Sequence, residues 1–155
     1  AYLSHGGEIA ILLNRPGKTA ANTFGYEDNG FSALTFSDTA PNGDVHLYQN
    51  ISIPSGNGAL TGTWAPDGRY VNPATVLDSS SRTATLNSFT GMDPNGTWTL
   101  FVADLSGGGT AQLTGWSLNV TAVPEPAEYG LAVGAVLFGL ALWRKKRQRR
   151  PVTVG

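Results

Sequence analysis

His5 and His46 are the chain's two imidazoles. They stand far apart, in or beside strand-like segments, and no Gly-x-Ser-x-Gly elbow presents a nucleophile. No catalytic residue is assigned. A zinc site lacks a His pair at ligand spacing, and the absence of cysteine removes thiolate ligands and thiol catalysis. Calcium asks for six to eight oxygens from carboxylates, Asn and backbone carbonyls. Two groups could contribute to such a structural site: Glu27, Asp28 and Asn29, or Glu8, Asp93 and Asp104. The plainer alternative is a set of solvated turn carboxylates. Trp64 and Tyr70 flank a Pro66-Asp67-Gly68 turn and, if exposed, could stack on a glycan.

The elements that must position these groups are strands. Gly and Pro number twenty and nine among 155 residues, amid many Thr, Ser and Asn. Short runs of β-favouring residues alternate with turn clusters, and no long stretch of the body has helical periodicity. Ile9–Leu13 is an apolar run closed by Asn14-Arg15-Pro16-Gly17, and Leu34 and Phe36 mark another strand. Leu47–Ile53 and Leu60–Trp64 read as two more, each followed by a Pro-containing turn. Thr97–Ala103 is the clearest strand, with Trp98, Leu100 and Val102 on one face. Trp116, Leu118 and Val120 share a face of a last strand, with a bulge expected at Gly115 where the apolar phase changes. These runs predict an all-β sandwich or barrel over residues 1–122.

Charge divides the chain. Residues 1–126 carry four basic and ten acidic side chains, a net of −6, and residues 127–155 carry six basic groups and Glu128, a net of +5. An acidic body does not suit nucleic acid. Tyr129–Trp143 contains no charge and reads as a helix. Arg144, Lys145, Lys146, Arg147, Arg149 and Arg150 follow it as a basic stop. Fifteen residues span only ~22 Å of a hydrocarbon core ~30 Å thick, so as a transmembrane helix the run is short. Lys and Arg stay on the cytoplasmic side, which places the body outside. Pro124 and Pro126 lack amide hydrogens and should keep the preceding segment extended. The last residues, 151–155, read as a plain tail.

Two family resemblances attach to these residues. Pro124-Glu125-Pro126, the short apolar helix and the terminal basic cluster resemble the PEP-CTERM sorting signal of Gram-negative bacteria, over residues 123–150. The resemblance implies recognition by exosortase, a membrane protease-transpeptidase, and delivery to the cell surface or exopolysaccharide matrix. Gly91-Met92-Asp93-Pro94-Asn95-Gly96-Thr97-Trp98-Thr99-Leu100-Phe101-Val102-Ala103-Asp104 and Leu113-Thr114-Gly115-Trp116-Ser117-Leu118 resemble the C-terminal half of a proprotein convertase P-domain. His5-Gly6-Gly7-Glu8 with Pro16-Gly17-Lys18-Thr19, and Phe36-Ser37-Asp38, are similar to its opening and to one of its strands. The implied fold is a jelly-roll β-sandwich, galactose-binding-like, and Trp98 and Trp116 take core positions. Some members bind calcium. The family's first strand precedes the His-Gly segment, so the resemblance implies a truncated N-terminus here.

The sequence therefore predicts an exported, non-enzymatic β-sandwich that is sorted to the surface. Two alternatives stay open: an accessory P-domain of a subtilisin-like protease lying upstream, and a carbohydrate-binding module for exopolysaccharide.

Overall fold

The computed structural model describes residues 1–105, 107, 111–122 and 126–148. The chain divides into two compact units, Ala1–Trp116 and Ser117–Gly155.

Among the described residues of the first unit, five strands form: β1 (Tyr2–His5), β2 (Glu8–Ile11), β3 (Phe31–Phe36), β4 (Leu60–Trp64) and β5 (Thr99–Phe101). β1 lies between β2 and β5, antiparallel to both, with Leu3 opposite Ala10 on one side and Leu100 on the other. Gly6 and Gly7 join β1 to β2 at φ 57° and 93°. A two-residue loop with both φ positive has the twist a hairpin needs, and only glycine takes it at no steric cost. Strand alternation then puts Leu3 and His5 on the buried face of β1.

β3 and β4 form a second, parallel sheet, with a register shift between Phe31 and Leu34 where Ala33 has φ 50°. Parallel neighbours need a long crossover. It contains a 3-10 helix at Val45–Asn50, where a strand is expected over Leu47–Ile53. Asp44 overrides the β-favouring composition. Its carboxylate accepts from His46 N at 2.9 Å, and its carbonyl accepts from Leu47 N at 3.1 Å. The resulting i, i+3 spacing buries Val45 and Tyr48 together with Leu60 and Trp64, and Leu13, Tyr26, Leu34 and Phe36 pack against them. Tyr48 meets Trp64 edge-on at 6.2 Å and Tyr26 at 4.7 Å.

Gly17 sets the approach of the preceding loop. It has φ 79°, and a Cβ there would collide with the Tyr26 ring. Gly17→Ala is therefore expected to cost about 1–3 kcal/mol, from overpacking and a strained backbone. Urea unfolding followed by Trp fluorescence checks this; an unchanged midpoint would contradict the tight contact.

The C-terminal part of the first unit departs most from expectation. β5 covers only Thr99–Phe101 of the expected Thr97–Ala103, since it pairs with the four-residue β1 alone. Residues 111–122 contain no strand, so the expected bulge at Gly115 has no ladder to sit in. Trp116, expected in the core, is 50 % exposed. The regular structure of the body is mostly strand, in two small sheets joined by long loops.

In the second unit, α1 spans Pro126–Gln148. It extends beyond the expected Tyr129–Trp143 at both ends. Proline is tolerated in a first helical turn because its missing N–H would have no partner there. Val133, Val136, Leu137, Phe138, Leu140, Leu142 and Trp143 are all exposed. Among the described residues, no helix is long and apolar enough to cross a membrane. The transmembrane expectation is corrected accordingly: the uncharged run is shorter than the ~20 residues a span requires, with Arg144 directly after it.

Candidate functional site

A group of charged side chains gathers inside the body around Asp67. Pro66-Asp67-Gly68 is a turn, as the sequence indicates, but it faces inward. Asp67 N donates to Leu12 O at 3.0 Å and Gly68 N to Ile11 O at 2.8 Å, which docks the turn on the end of β2. Asp67 is fully buried. One carboxylate oxygen accepts from His46 Nδ1 at 2.8 Å and from Asn14 N at 3.2 Å; the other accepts from Arg69 Nη1 at 3.3 Å. Arg69 Nη2 continues to Asp44 and to the Asp78 carbonyl, both at 2.8 Å. Arg82 donates to the carbonyls of Asp67 and Pro66, and buried Lys18 donates to Val76 O at 2.9 Å. Each charge has partners of opposite sign or a carbonyl, the condition under which a buried charge is tolerated.

His46 sits at the centre with no exposure. Its Nε2 meets the Lys18 carbonyl at 3.0 Å and its Nδ1 meets the Asp67 carboxylate. Both partners are acceptors, so both ring nitrogens donate, as an imidazolium does. Burial works against the charge, but the bonds to Asp67 and Lys18 outweigh it and raise the pKa above the ordinary value. With both nitrogens donating, the ring presents no lone pair to a substrate or a metal. This cluster is structural.

His5 is held similarly, nearer the surface. Its ring nitrogens meet Asp93 O at 2.7 Å and Thr97 O at 3.1 Å, and these bonds raise its pKa. The ring stacks on Trp98 at 4.0 Å, and Trp98 meets Phe89 edge-on at 5.0 Å. The expected core position of Trp98 is thus half-buried against a histidine. Asp38 adds a second clasp, accepting from Thr85 Oγ1, Leu86 N and Asn87 N at the start of a 3-10 helix, Leu86–Phe89.

Over the β1–β2 hairpin lies an open, shallow cleft of about 380 Å³, lined by Tyr2, Ser4, Glu8, Tyr70, Thr97 and Thr99 among others. Tyr70 is 63 % exposed, whereas Trp64 is 1 % exposed, with its Nε1 donating to Thr61 O. Trp64 is a core residue with no free ring face, so the expected aromatic pair reduces to Tyr70. The packing that decides this is long-range, and the shared flanking of one turn did not disclose it.

Among the described residues, no three or more His, Cys, Asp or Glu side chains are placed to hold a metal ion. Glu8, Asp93 and Asp104 are therefore not gathered into one site. Asp93 instead caps its own turn, and the Asn95 backbone and side-chain amides lower its pKa. Of the other set, Asp28 accepts from Tyr48 Oη at 2.5 Å and Gln49 Nε2 at 2.7 Å. Burial and this contact raise the Tyr48 pKa. Pro124, Glu125, Arg149 and Arg150 lie outside the described residues. Tyr129, Trp143, Arg144, Lys145, Lys146 and Arg147 fall within α1, in which Pro126 is the first residue.

Sequence reading missed the buried cluster. The available signal was scarcity: of the four basic residues in the acidic body, Lys18 and Arg69 are buried in it and Arg82, itself exposed, bonds to its edge.

No curated protein and no solved structure matches the chain. Residues 66–120, about a third of the chain, match the family model of the proprotein convertase P-domain, and in that stretch the body is similar to that accessory domain.

Proposed function

We propose that this chain is an exported, non-catalytic β-sandwich of the jelly-roll, P-domain-like kind, carried to the cell surface or exopolysaccharide matrix by a C-terminal sorting signal. The observation that carries this reading is the order of the tail: Pro124-Glu125-Pro126, the uncharged run Tyr129–Trp143 and six basic residues, all directly after a stretch similar to a P-domain. The exposed apolar side chains of α1 and the basic cluster suit contact with an anionic membrane surface. Exosortase would then read Pro124, Glu125 and Pro126 as an extended peptide, with Glu125 recognised by its charge.

Glu125→Ala is expected to block tail removal in the native host, giving an intact mass that retains the basic C-terminus. A variant processed as the parent is would reject a charge-read motif.

The match to residues 66–120 also favours a second reading, in which the body packs against an upstream subtilisin-like protease domain. A native polypeptide carrying a Ser/His/Asp protease domain ahead of Ala1 would select it. The exposed Tyr70 beside Glu8, Ser4, Thr97 and Thr99 supports glycan contact as an added role in either reading. Loss of exopolysaccharide binding in Tyr70→Ala would establish it, and absence of glycan binding by the parent would remove it.

A further inference from the structure

We propose that His46 is a pH-dependent latch inside the body: as an imidazolium it ties the Asp67 turn to the Lys18 loop, and on losing a proton it releases one of these two ties.

The geometry leaves His46 no alternative partners. Its ring is fully buried between a carboxylate, Asp67 Oδ2 at 2.8 Å, and a carbonyl, Lys18 O at 3.0 Å. A neutral imidazole has one N–H and one lone pair. Keeping the stronger, charge-assisted bond to Asp67 would leave the Nε2 lone pair facing the Lys18 oxygen, with no solvent to separate them. The Lys18 loop then retains the bond from Gly17 N to His46 O, at 2.7 Å, but loses the one through the ring.

Other charged groups bear on the same site. Asp67 favours the charged ring, and Arg69, which donates to both Asp67 and Asp44, opposes it. Arg82 lies 3.7 Å from Asp44 and donates to the Asp67 carbonyl. Lys18 directs its ammonium to Val76 O, and the Asp78 carbonyl accepts from Arg69. The Ala1 amino group has its pKa lowered by burial, against the attraction of Asp67. Its titration therefore acts in the opposite sense, favouring the folded state as pH rises.

For His46 the folded pKa is raised. The latch is thus fully engaged below the ordinary value of about 6.5 and is lost as pH climbs through the folded value above it. A body held closed below about pH 6.5 loosens as pH climbs through the folded value, a device built from one side chain.

The test reads the ring itself. In the full chain labelled with ¹⁵N, long-range ¹H–¹⁵N spectra report both histidines, and His5→Gln leaves the His46 signals alone. At about pH 6, both His46 nitrogens are expected to be protonated, with titration above about 6.5. In parallel, the urea midpoint is expected to fall as pH is raised from about 6 to about 9, and to fall less in His46→Gln. A single neutral tautomer at about pH 6 would overturn the latch, as would a His46→Gln profile as steep as the parent's. Should His46→Gln fail to fold, the ring spectra of the parent and of His5→Gln still decide.

Discussion

Asp67→Ala is expected to destabilise the body by about 3–5 kcal/mol, the cost of removing one partner from a buried ionic network. The carboxylate touches three segments at once: the His46 helix, Asn14 after β2, and Arg69 in its own turn. Without it, the His46 and Arg69 cations remain at the same depth with fewer counter-charges, and the Asn14 amide loses its acceptor. A typical domain has only ~5–15 kcal/mol of net stability, so this variant should unfold at low urea or fail to accumulate. Asp67→Asn retains one oxygen acceptor and should cost less. Urea unfolding of the purified proteins tests both; an Asp67→Ala midpoint equal to the parent's would show that the network carries no net stabilisation.

The second large effect belongs to Trp64→Ala, expected at about 3–5 kcal/mol from lost burial plus the cavity left behind. Trp64 is among the largest fully buried side chains, packed with Val45, Tyr48 and Leu60 across the second sheet. Tyr70→Ala makes the informative contrast. Tyr70 is 63 % exposed, and its removal should change stability by no more than ~0.5 kcal/mol. Similar losses from both would contradict the assignment of one aromatic to the core and the other to the surface.

Local pattern made some of this fold readable. β4 coincides with the expected Leu60–Trp64, because a short β-favouring run ends there at a Pro-Asp-Gly turn. Phe31–Phe36 contains the expected Leu34 and Phe36, and Glu8–Ile11 takes in the start of the Ile9–Leu13 run. Val45–Asn50 was not readable, since its composition favours a strand and the outcome turned on one capping carboxylate, Asp44.

Burial was harder to read than element type. Trp116, expected in the core, is half exposed because the strand that would have buried it does not form, while Trp64, a candidate glycan contact if exposed, is enclosed by residues distant in sequence. The interior charges were hidden for a different reason. Asp67 in a Pro-Asp-Gly turn carries every local mark of a solvated residue. Only the fold places it against His46 and Asn14, which lie 21 and 53 positions away. The tail is the reverse case. Its motif order is plain in the sequence, and what that order accomplishes is decided in the cell.

The intact mass of the mature protein from its native cells, with its terminal peptides mapped, tests the central reading most directly. The account predicts a C-terminus close to Pro126 and a body released to the surface or matrix. A mature protein that keeps Arg144–Arg150 would contradict it, leaving a P-domain-like module whose tail serves some purpose other than sorting.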